Sequence, residues 1–211
     1  MWTRPDPNVI DPARTALIVF DMLECYRPEI EKSGALPQAQ ELVKLARDNG
    51  MLVCFARADH RDDGADFTRV IADTDRWFTP WSDEHPQPAG PKPGTDYRSL
   101  AEFEQGPQDI DILKHRWNAF HGTALDLTLR VQNIDTVLIC GGSTHVGVAS
   151  TVYAGRDLDY QMIVVKDACT GHQEQRDYFC ETIFPRMVRV RTVKEIDSMI
   201  HADHPAERTT A

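Results

Sequence analysis

Short apolar segments alternate with longer amphipathic segments along most of this chain. The apolar segments are TALIVF (15–20), MLVCFA (51–56), DIDIL (109–113), TVLIC (136–140), MIVV (162–165) and MVRVR (187–191). Runs of this length that are rich in β-branched residues predict strands buried between layers of helices. We therefore expect six strands.

The amphipathic segments between them have the spacing of helices. The clearest, LPQAQELVKLARDN (36–49), is followed by Gly50 as a C-terminal cap, and others cover 123–133, 148–159, 173–184 and 193–200. Strands that alternate with helices imply right-handed crossovers and a parallel sheet. The pattern predicts an α/β fold, a three-layer α/β/α sandwich around a six-stranded, mostly parallel, Rossmann-like sheet.

The length of the chain suits one domain. Its 211 residues are expected to form a single unit over 1–211, with a core of about 14–200 and peripheral ends at 1–13 and 201–211. The segment 79–95 holds five prolines and interrupts regular structure. It is either a solvated insertion or a functional loop, which would cover a pocket or contact another subunit.

Charge and cysteine usage narrow the function. The chain has 23 Lys and Arg against 33 Asp and Glu, a formal charge of −10. This surplus repels phosphate and anionic lipid, so we expect neither nucleic acid nor membrane as a partner. There is no apolar stretch of signal-peptide type and no Cys-x-x-Cys pair among the five cysteines. A cytoplasmic protein with reduced thiols is expected.

Polar residues follow the apolar segments where a ligand site of a parallel sheet would lie. Asp21, Arg57 and Lys114 come after the first three segments. Ligands bind outside the carboxyl ends of parallel strands. Asp21 is then a general acid or base, or else a cap. Lys114 is predicted to neutralise the Asp21 charge or to orient a substrate, and Arg57 is predicted to bind a substrate carboxylate. The alternative for each is an ordinary cation at the protein surface.

A glycine-rich turn follows the fourth segment. It reads GGSTHVG, with Gly142, Ser143 and Thr144 leading into a helix. The free N–H groups at a helix start attract developing negative charge, so these residues are candidates for an oxyanion site. The alternative is an ordinary tight turn.

These residues resemble the isochorismatase-like family, also called cysteine hydrolases, over about residues 14–200. The family has an Asp after its first strand, a Lys after its third and a Cys on the helix after its fourth. Here the matching stretches are LIVFDM with Asp21, DILKHRW with Lys114 and GGSTHVGVAST with Gly147. Amidases of the family attack a carbonyl with that thiolate, which a glycine at 147 cannot supply.

Isochorismatase itself also lacks the cysteine. This chain resembles it in KHRWNAFH (114–121) and in THVG, which contains His145. The resemblance implies hydrolysis of a vinyl ether, as in the conversion of isochorismate to 2,3-dihydroxy-2,3-dihydrobenzoate and pyruvate. Asp21 would be the general acid, Lys114 would hold a substrate oxygen, and the absent side chain at Gly147 would leave room for substrate or water.

Several further residues are candidates to surround the substrate, which we expect to be a small anionic molecule. Those predicted to contact it are Arg57, Trp117, Phe120, His145 and Cys25. Trp77, Phe78 and Trp81 belong either to the core or to the wall of the pocket.

Two other functions stay open. Cys25, four residues after Asp21, would be a relocated amidase nucleophile, or the chain would be a binding protein without catalysis. The zinc motif Asp-x-His of family amidases is not reproduced, because Asp59 and His60 are adjacent. We therefore expect no metal and no other cofactor. The resemblance alone implies a homodimer or homotetramer.

Overall fold

The computed structural model describes residues 6–68, 70 and 95–202. The expectations for Trp77, Phe78 and Trp81, and for all but the last residue of 79–95, fall outside the described residues.

Six strands form one sheet in which every pairing is parallel. They are β1 (Thr15–Phe20), β2 (Leu52–Ala58), β3 (Ile110–Lys114), β4 (Thr136–Gly141), β5 (Gln161–Cys169) and β6 (Arg189–Arg191). Their order across the sheet is β3-β2-β1-β4-β5-β6. The predicted fold class is confirmed.

Helices lie on both faces of the sheet. They are α1 (Arg27–Ser33), α2 (Leu36–Asp48), α3 (Leu125–Val131), α4 (Ala149–Asp157), α5 (Gln173–Tyr178) and α6 (Val193–Ile200). Two π-helical segments, Thr144–Val148 and Phe179–Ile183, precede α4 and follow α5. Sequence reasoning missed α1, a short helix that ends at Gly34 in a left-handed conformation with φ of 71°. No helix in the described part of the chain is long and apolar enough to cross a membrane.

Strand β1 separates the two halves of the core. Its six residues are all buried. Alternation along the strand sends Leu17 and Val19 toward α2 and α6, while Ile18 and Phe20 face the opposite layer with α3 and α4. A continuous apolar run is the pattern that such a doubly covered strand requires.

The strand order reverses between β1 and β4. The chain passes from β1 toward β2 on one side and from β4 toward β5 on the other. The connections after these two neighbouring strands therefore diverge and open a crevice beyond the carboxyl ends of the strands. Asp21 follows β1 directly, and the Gly142 turn follows β4. The topology therefore places these two predicted site segments side by side.

Candidate active site

Asp21 is held by the backbone of the neighbouring strand. The residue has a positive φ of 45° at the end of β1, and its N–H donates to the Ala56 carbonyl at 2.9 Å. The Ala58 N–H donates to Asp21 Oδ1 at 2.7 Å. One carboxylate oxygen is thus fixed, and the other is directed toward β3.

Lys114 meets that second oxygen. Its Nζ donates to Asp21 Oδ2 at 2.6 Å, and the two side chains are only 4% and 11% exposed. The ammonium also lies 4.3 Å from the centre of the Phe20 ring. The ring face attracts a cation, so the charge is supported from two sides.

Burial and pairing act in opposite directions on Asp21. Loss of solvent raises the pKa of the carboxyl above its ordinary value, while the Lys114 charge and the hydrogen bonds from Lys114 and Ala58 oppose that rise. Burial is the largest effect, so the pKa of Asp21 is raised. A carboxyl of this kind retains a proton at a higher pH than an exposed aspartate and suits acid–base chemistry.

The space beside Gly147 is filled rather than open. A Cβ built on Gly147 would overlap Cε1 and Cζ of the Phe20 ring. The expectation that the absent side chain leaves room for substrate or water is wrong, because the ring that supports Lys114 also packs against this glycine.

The turn after β4 has fewer free donors than the sequence suggested. The Gly142 N–H donates to the Phe20 carbonyl at 2.9 Å, and the Thr144 N–H donates to the Thr170 carbonyl at 3.0 Å. The prediction that the N–H groups of Gly142 and Thr144 serve as oxyanion donors is therefore wrong in this conformation. Of Gly142, Ser143 and Thr144, Ser143 is the residue whose N–H has no backbone acceptor among the described residues. Its Oγ lies 3.4 Å from His145 Nδ1.

Arg57 is directed away from the Asp21–Lys114 pair. Strand β2 continues to Ala58, so Arg57 is an internal strand residue on the face of Phe55, opposite the face of Ala56. It forms ion pairs with Asp111 at 3.0 Å and with Asp59 at 3.5 Å. The prediction that it grips a substrate carboxylate is not supported by this geometry.

One of the aromatic candidates from KHRWNAFH, Phe120, packs toward the amino edge of the sheet. Phe120 stacks on Tyr160 with ring centres 5.6 Å apart, and Tyr160 directly precedes β5 at the amino edge of the sheet. This position gives no support to the expected contact of Phe120 with substrate, which stays a prediction. Trp117 is half exposed to solvent. His145 is half buried, with its ring 6.3 Å from that of Phe179, and burial lowers its pKa.

The chain has cysteines, but none has the properties of an activated nucleophile. All five are free thiols: Cys25 is half buried, and Cys54, Cys140, Cys169 and Cys180 are buried. Burial and the nearby Asp21 raise the pKa of Cys25 to about 11. A reactive thiol requires a lowered pKa, so the relocated-nucleophile interpretation lacks chemical support.

Tyr97 is a site residue that sequence reasoning missed. Residues 96–100 run beside the segment after β1, because the N–H groups of Glu24 and Cys25 donate to the carbonyls of Arg98 and Asp96. This pairing places Tyr97 near Asp21, and both burial and Asp21 raise the pKa of its phenol. The Tyr97 hydroxyl is buried and has no hydrogen-bond partner among the described residues. No sequence motif marked this residue.

A second missed feature is a group of three metal-ligand side chains. Nitrogen or oxygen atoms of His60, Asp66 and His115 all lie within 4.8 Å of one another. His60 was considered only with Asp59, which instead lies beside Arg57. In the sequence, His115 directly follows Lys114. Since β3 pairs with β2, this position could have indicated that His115 lies close to His60.

Comparison with known proteins places this chain in a family. The model of the isochorismatase domain matches residues 15–195, which include Asp21, Lys114 and Gly147. The chain belongs to the isochorismatase family of hydrolases. It is 34% identical to the isochorismatase family protein YecD of Escherichia coli O157:H7, over 86% of this chain and 94% of YecD.

Two further relatives are less similar to this chain in sequence than YecD is. The ureidoacrylate amidohydrolase RutB of Variovorax paradoxus is 28% identical, over 96% of this chain and 86% of RutB. An isochorismatase family protein from Burkholderia thailandensis has the same fold, with a TM-score of 0.77 at 24% identity, covering 92% of this chain and 98% of that one. The resemblance to the family is therefore confirmed in sequence and in fold.

Proposed function

We propose that this chain hydrolyses a small vinyl ether, with Asp21 as general acid and water as the nucleophile, and without a covalent thiol intermediate. The buried Asp21–Lys114 pair carries the proposal. Its carboxyl has a raised pKa, as an acid that works near neutral pH requires. The half-buried thiol nearby, Cys25, has a raised pKa that disfavours a nucleophilic role.

The proposed reaction balances with Asp21 as the proton source. The Asp21 carboxyl gives its proton to the terminal carbon of the vinyl ether, which leaves an oxocarbenium ion. Water adds to that cation and returns one proton to the Asp21 carboxylate. The resulting hemiketal breaks its C–O bond and yields an alcohol and a carbonyl compound. Glycine at 147, in the place of the family's cysteine, is consistent with a reaction that needs no side-chain nucleophile.

Lys114 has two roles in this sequence of steps. While Asp21 is ionised, the ammonium pairs with it at 2.6 Å and maintains its position. When Asp21 takes up a proton, that ion pair is lost and the Lys114 charge is available to an anionic group of the substrate. This change resolves the conflict between a cation that lowers the pKa of Asp21 and a mechanism that requires its protonated form.

Release of two different products tests the chemistry. Wild type and Asp21→Asn are assayed on isochorismate, nicotinamide and small ureides, with pyruvate and ammonia measured separately. Asp59→Asn is the matched control, because Asp59 follows β2 nearby but pairs with Arg57. We expect pyruvate release by wild type and the control, and loss in Asp21→Asn. Equal turnover by Asp21→Asn would refute the proposal.

A second candidate is hydrolysis of a ureido C–N bond. It is favoured by the match to RutB, which is named a ureidoacrylate amidohydrolase. Here the Asp21 carboxylate would take a proton from water, which attacks the carbonyl directly. Ammonia release that survives thiol blockade and increases as Asp21 ionises would select this reaction over vinyl-ether cleavage.

A further inference from the structure

Tyr97 is held in place by backbone hydrogen bonds on both sides of it in the chain. The Cys25 N–H donates to the Asp96 carbonyl at 3.1 Å, and the Glu24 N–H donates to the Arg98 carbonyl at 3.0 Å. Residues 96–98 therefore lie against the segment that follows β1. The position of Tyr97 relative to that segment is fixed by main-chain contacts and does not depend on its own side chain.

The phenol end of Tyr97 shares its surroundings with Asp21. Electrostatic effects of Asp21 and Cys25 contribute to the raised pKa of the Tyr97 phenol, and the pKa of Tyr26 is raised in part by Asp21, Cys25 and Tyr97. These four side chains therefore face one region beyond the carboxyl end of β1. Tyr26 is exposed, so this region reaches the surface of the protein.

The Tyr97 hydroxyl is a hydrogen-bond donor whose acceptor is absent from the described part of the chain. The carboxylate of Asp21 is already occupied, because its two oxygens accept from the Ala58 N–H and from Lys114 Nζ. Burial is the main cause that holds the pKa of the phenol above its ordinary value, so the hydroxyl keeps its proton at neutral pH. A buried donor without a partner is uncommon in native proteins and is costly, and an acceptor on a bound ligand would satisfy it.

The charges around the phenol select the kind of acceptor. Besides Asp21, the carboxylates of Asp66 and Asp59 act electrostatically on Tyr97. These groups would repel a negatively charged oxygen placed against the hydroxyl. An uncharged ether or carbonyl oxygen accepts the hydrogen bond without this penalty. An anionic group of the same substrate would lie on the side of Lys114, whose ammonium attracts it.

We propose that the Tyr97 hydroxyl donates a hydrogen bond to an uncharged oxygen of the substrate, beside the bond that is cleaved. Tyr97 is then a specificity-determining residue, because a ligand that lacks this oxygen leaves a buried donor unpaired. The inference rests on the proposed function for the position of the substrate next to Asp21. It holds for a vinyl ether and for a ureide alike, since both carry an uncharged oxygen at the reacting group.

Pairs of ligands that differ in one atom test the proposal. Benzamide and phenylurea are compared with thiobenzamide and phenylthiourea, in which sulfur, a weak acceptor, replaces the carbonyl oxygen. Calorimetry measures the affinity of each ligand for full-length wild type, Tyr97→Phe and Tyr153→Phe. Tyr153→Phe is the matched control, because Tyr153 is an exposed tyrosine of α4. Circular dichroism verifies that each variant is folded.

We expect the ratio of oxygen-ligand to sulfur-ligand affinity to be lower by about three- to tenfold in Tyr97→Phe than in wild type, and unchanged in Tyr153→Phe. An equal ratio in wild type and Tyr97→Phe, or no binding of either oxygen ligand to wild type, would overturn the proposal. Hydrolysis that is lost in Asp21→Asn, with an unchanged ratio in Tyr97→Phe, would remove this inference and leave the proposed function standing. A lower ratio in Tyr97→Phe, with turnover that Asp21→Asn retains, would do the opposite.

Discussion

Lys114 Nζ lies 2.6 Å from Asp21 Oδ2, with both side chains almost removed from solvent. An ion pair exposed to water contributes little to stability. In a buried pair, each charged group is stable only while its partner carries the opposite charge. Burial raises the pKa of Asp21 and Lys114 lowers it. The proton on Asp21 is therefore controlled by Lys114, and this relationship can be measured.

The first prediction concerns the pH dependence of turnover. If Asp21 is the acid, kcat/KM falls as pH rises through its pKa. Lys114→Met removes the cation that lowers this pKa, so the descending limb should move to higher pH by about one to three units. Lys166→Met, at an exposed position of β5, should leave the limb unchanged. A limb that stays in place in Lys114→Met would separate Asp21 from the observed titration.

The second prediction concerns stability. Because the pKa of Asp21 is higher in the folded protein than in the unfolded chain, the unfolded chain loses this proton first as pH rises. The free energy of unfolding of wild type should therefore fall relative to Asp21→Asn between the two pKa values, by up to about 1.4 kcal/mol per pH unit. Urea denaturation of both proteins across pH measures this difference. A flat difference would show that the pKa of Asp21 is not shifted by folding.

The third prediction concerns Gly147 and Phe20. Gly147→Ala introduces a methyl group where the Phe20 ring lies, and overpacking of this kind costs about 1–3 kcal/mol of unfolding free energy. Phe20→Leu should relieve the overlap, so the double variant should be more stable than the sum of the two single changes predicts. Chemical denaturation of wild type, the two single variants and the double variant completes this double-mutant cycle. Additive effects would mean that the two residues are not coupled.

The fourth prediction concerns Tyr97. Its hydroxyl is buried without a hydrogen-bond partner in the described part of the chain, so Tyr97→Phe should leave the free energy of unfolding unchanged or slightly higher. If the hydroxyl binds substrate, KM should rise by about three- to tenfold while kcat changes little. Tyr153→Phe, at an exposed position of α4, is the control. A loss of stability without any change in KM would give Tyr97 a structural role.

The features that could be predicted from the sequence are those that short, continuous segments of the chain determine. TALIVF predicted β1 residue for residue, because burial on both faces needs a continuous apolar run. Asp21 and Lys114 were identifiable because each follows such a run, and parallel strands end at one edge of the sheet.

Nonlocal packing accounts for the failures. Arg57 was placed wrongly because β2 continues two residues beyond the apolar run, which reverses the face on which its side chain lies. The neighbour of Gly147 is Phe20, and this pairing is not visible from spacing. Asp66 and His115 are 49 positions apart in the sequence and meet only in the folded chain.

The central claim is that Asp21 transfers the proton and that no cysteine becomes covalently attached to substrate. Intact-protein mass spectrometry during steady-state turnover, combined with kcat for wild type, Cys25→Ala and Asp21→Asn, tests it most directly. The account predicts no mass adduct, kcat within about twofold in Cys25→Ala and a loss of at least about 10²-fold in Asp21→Asn. A substrate adduct on a cysteine, or wild-type kcat in Asp21→Asn, would contradict it.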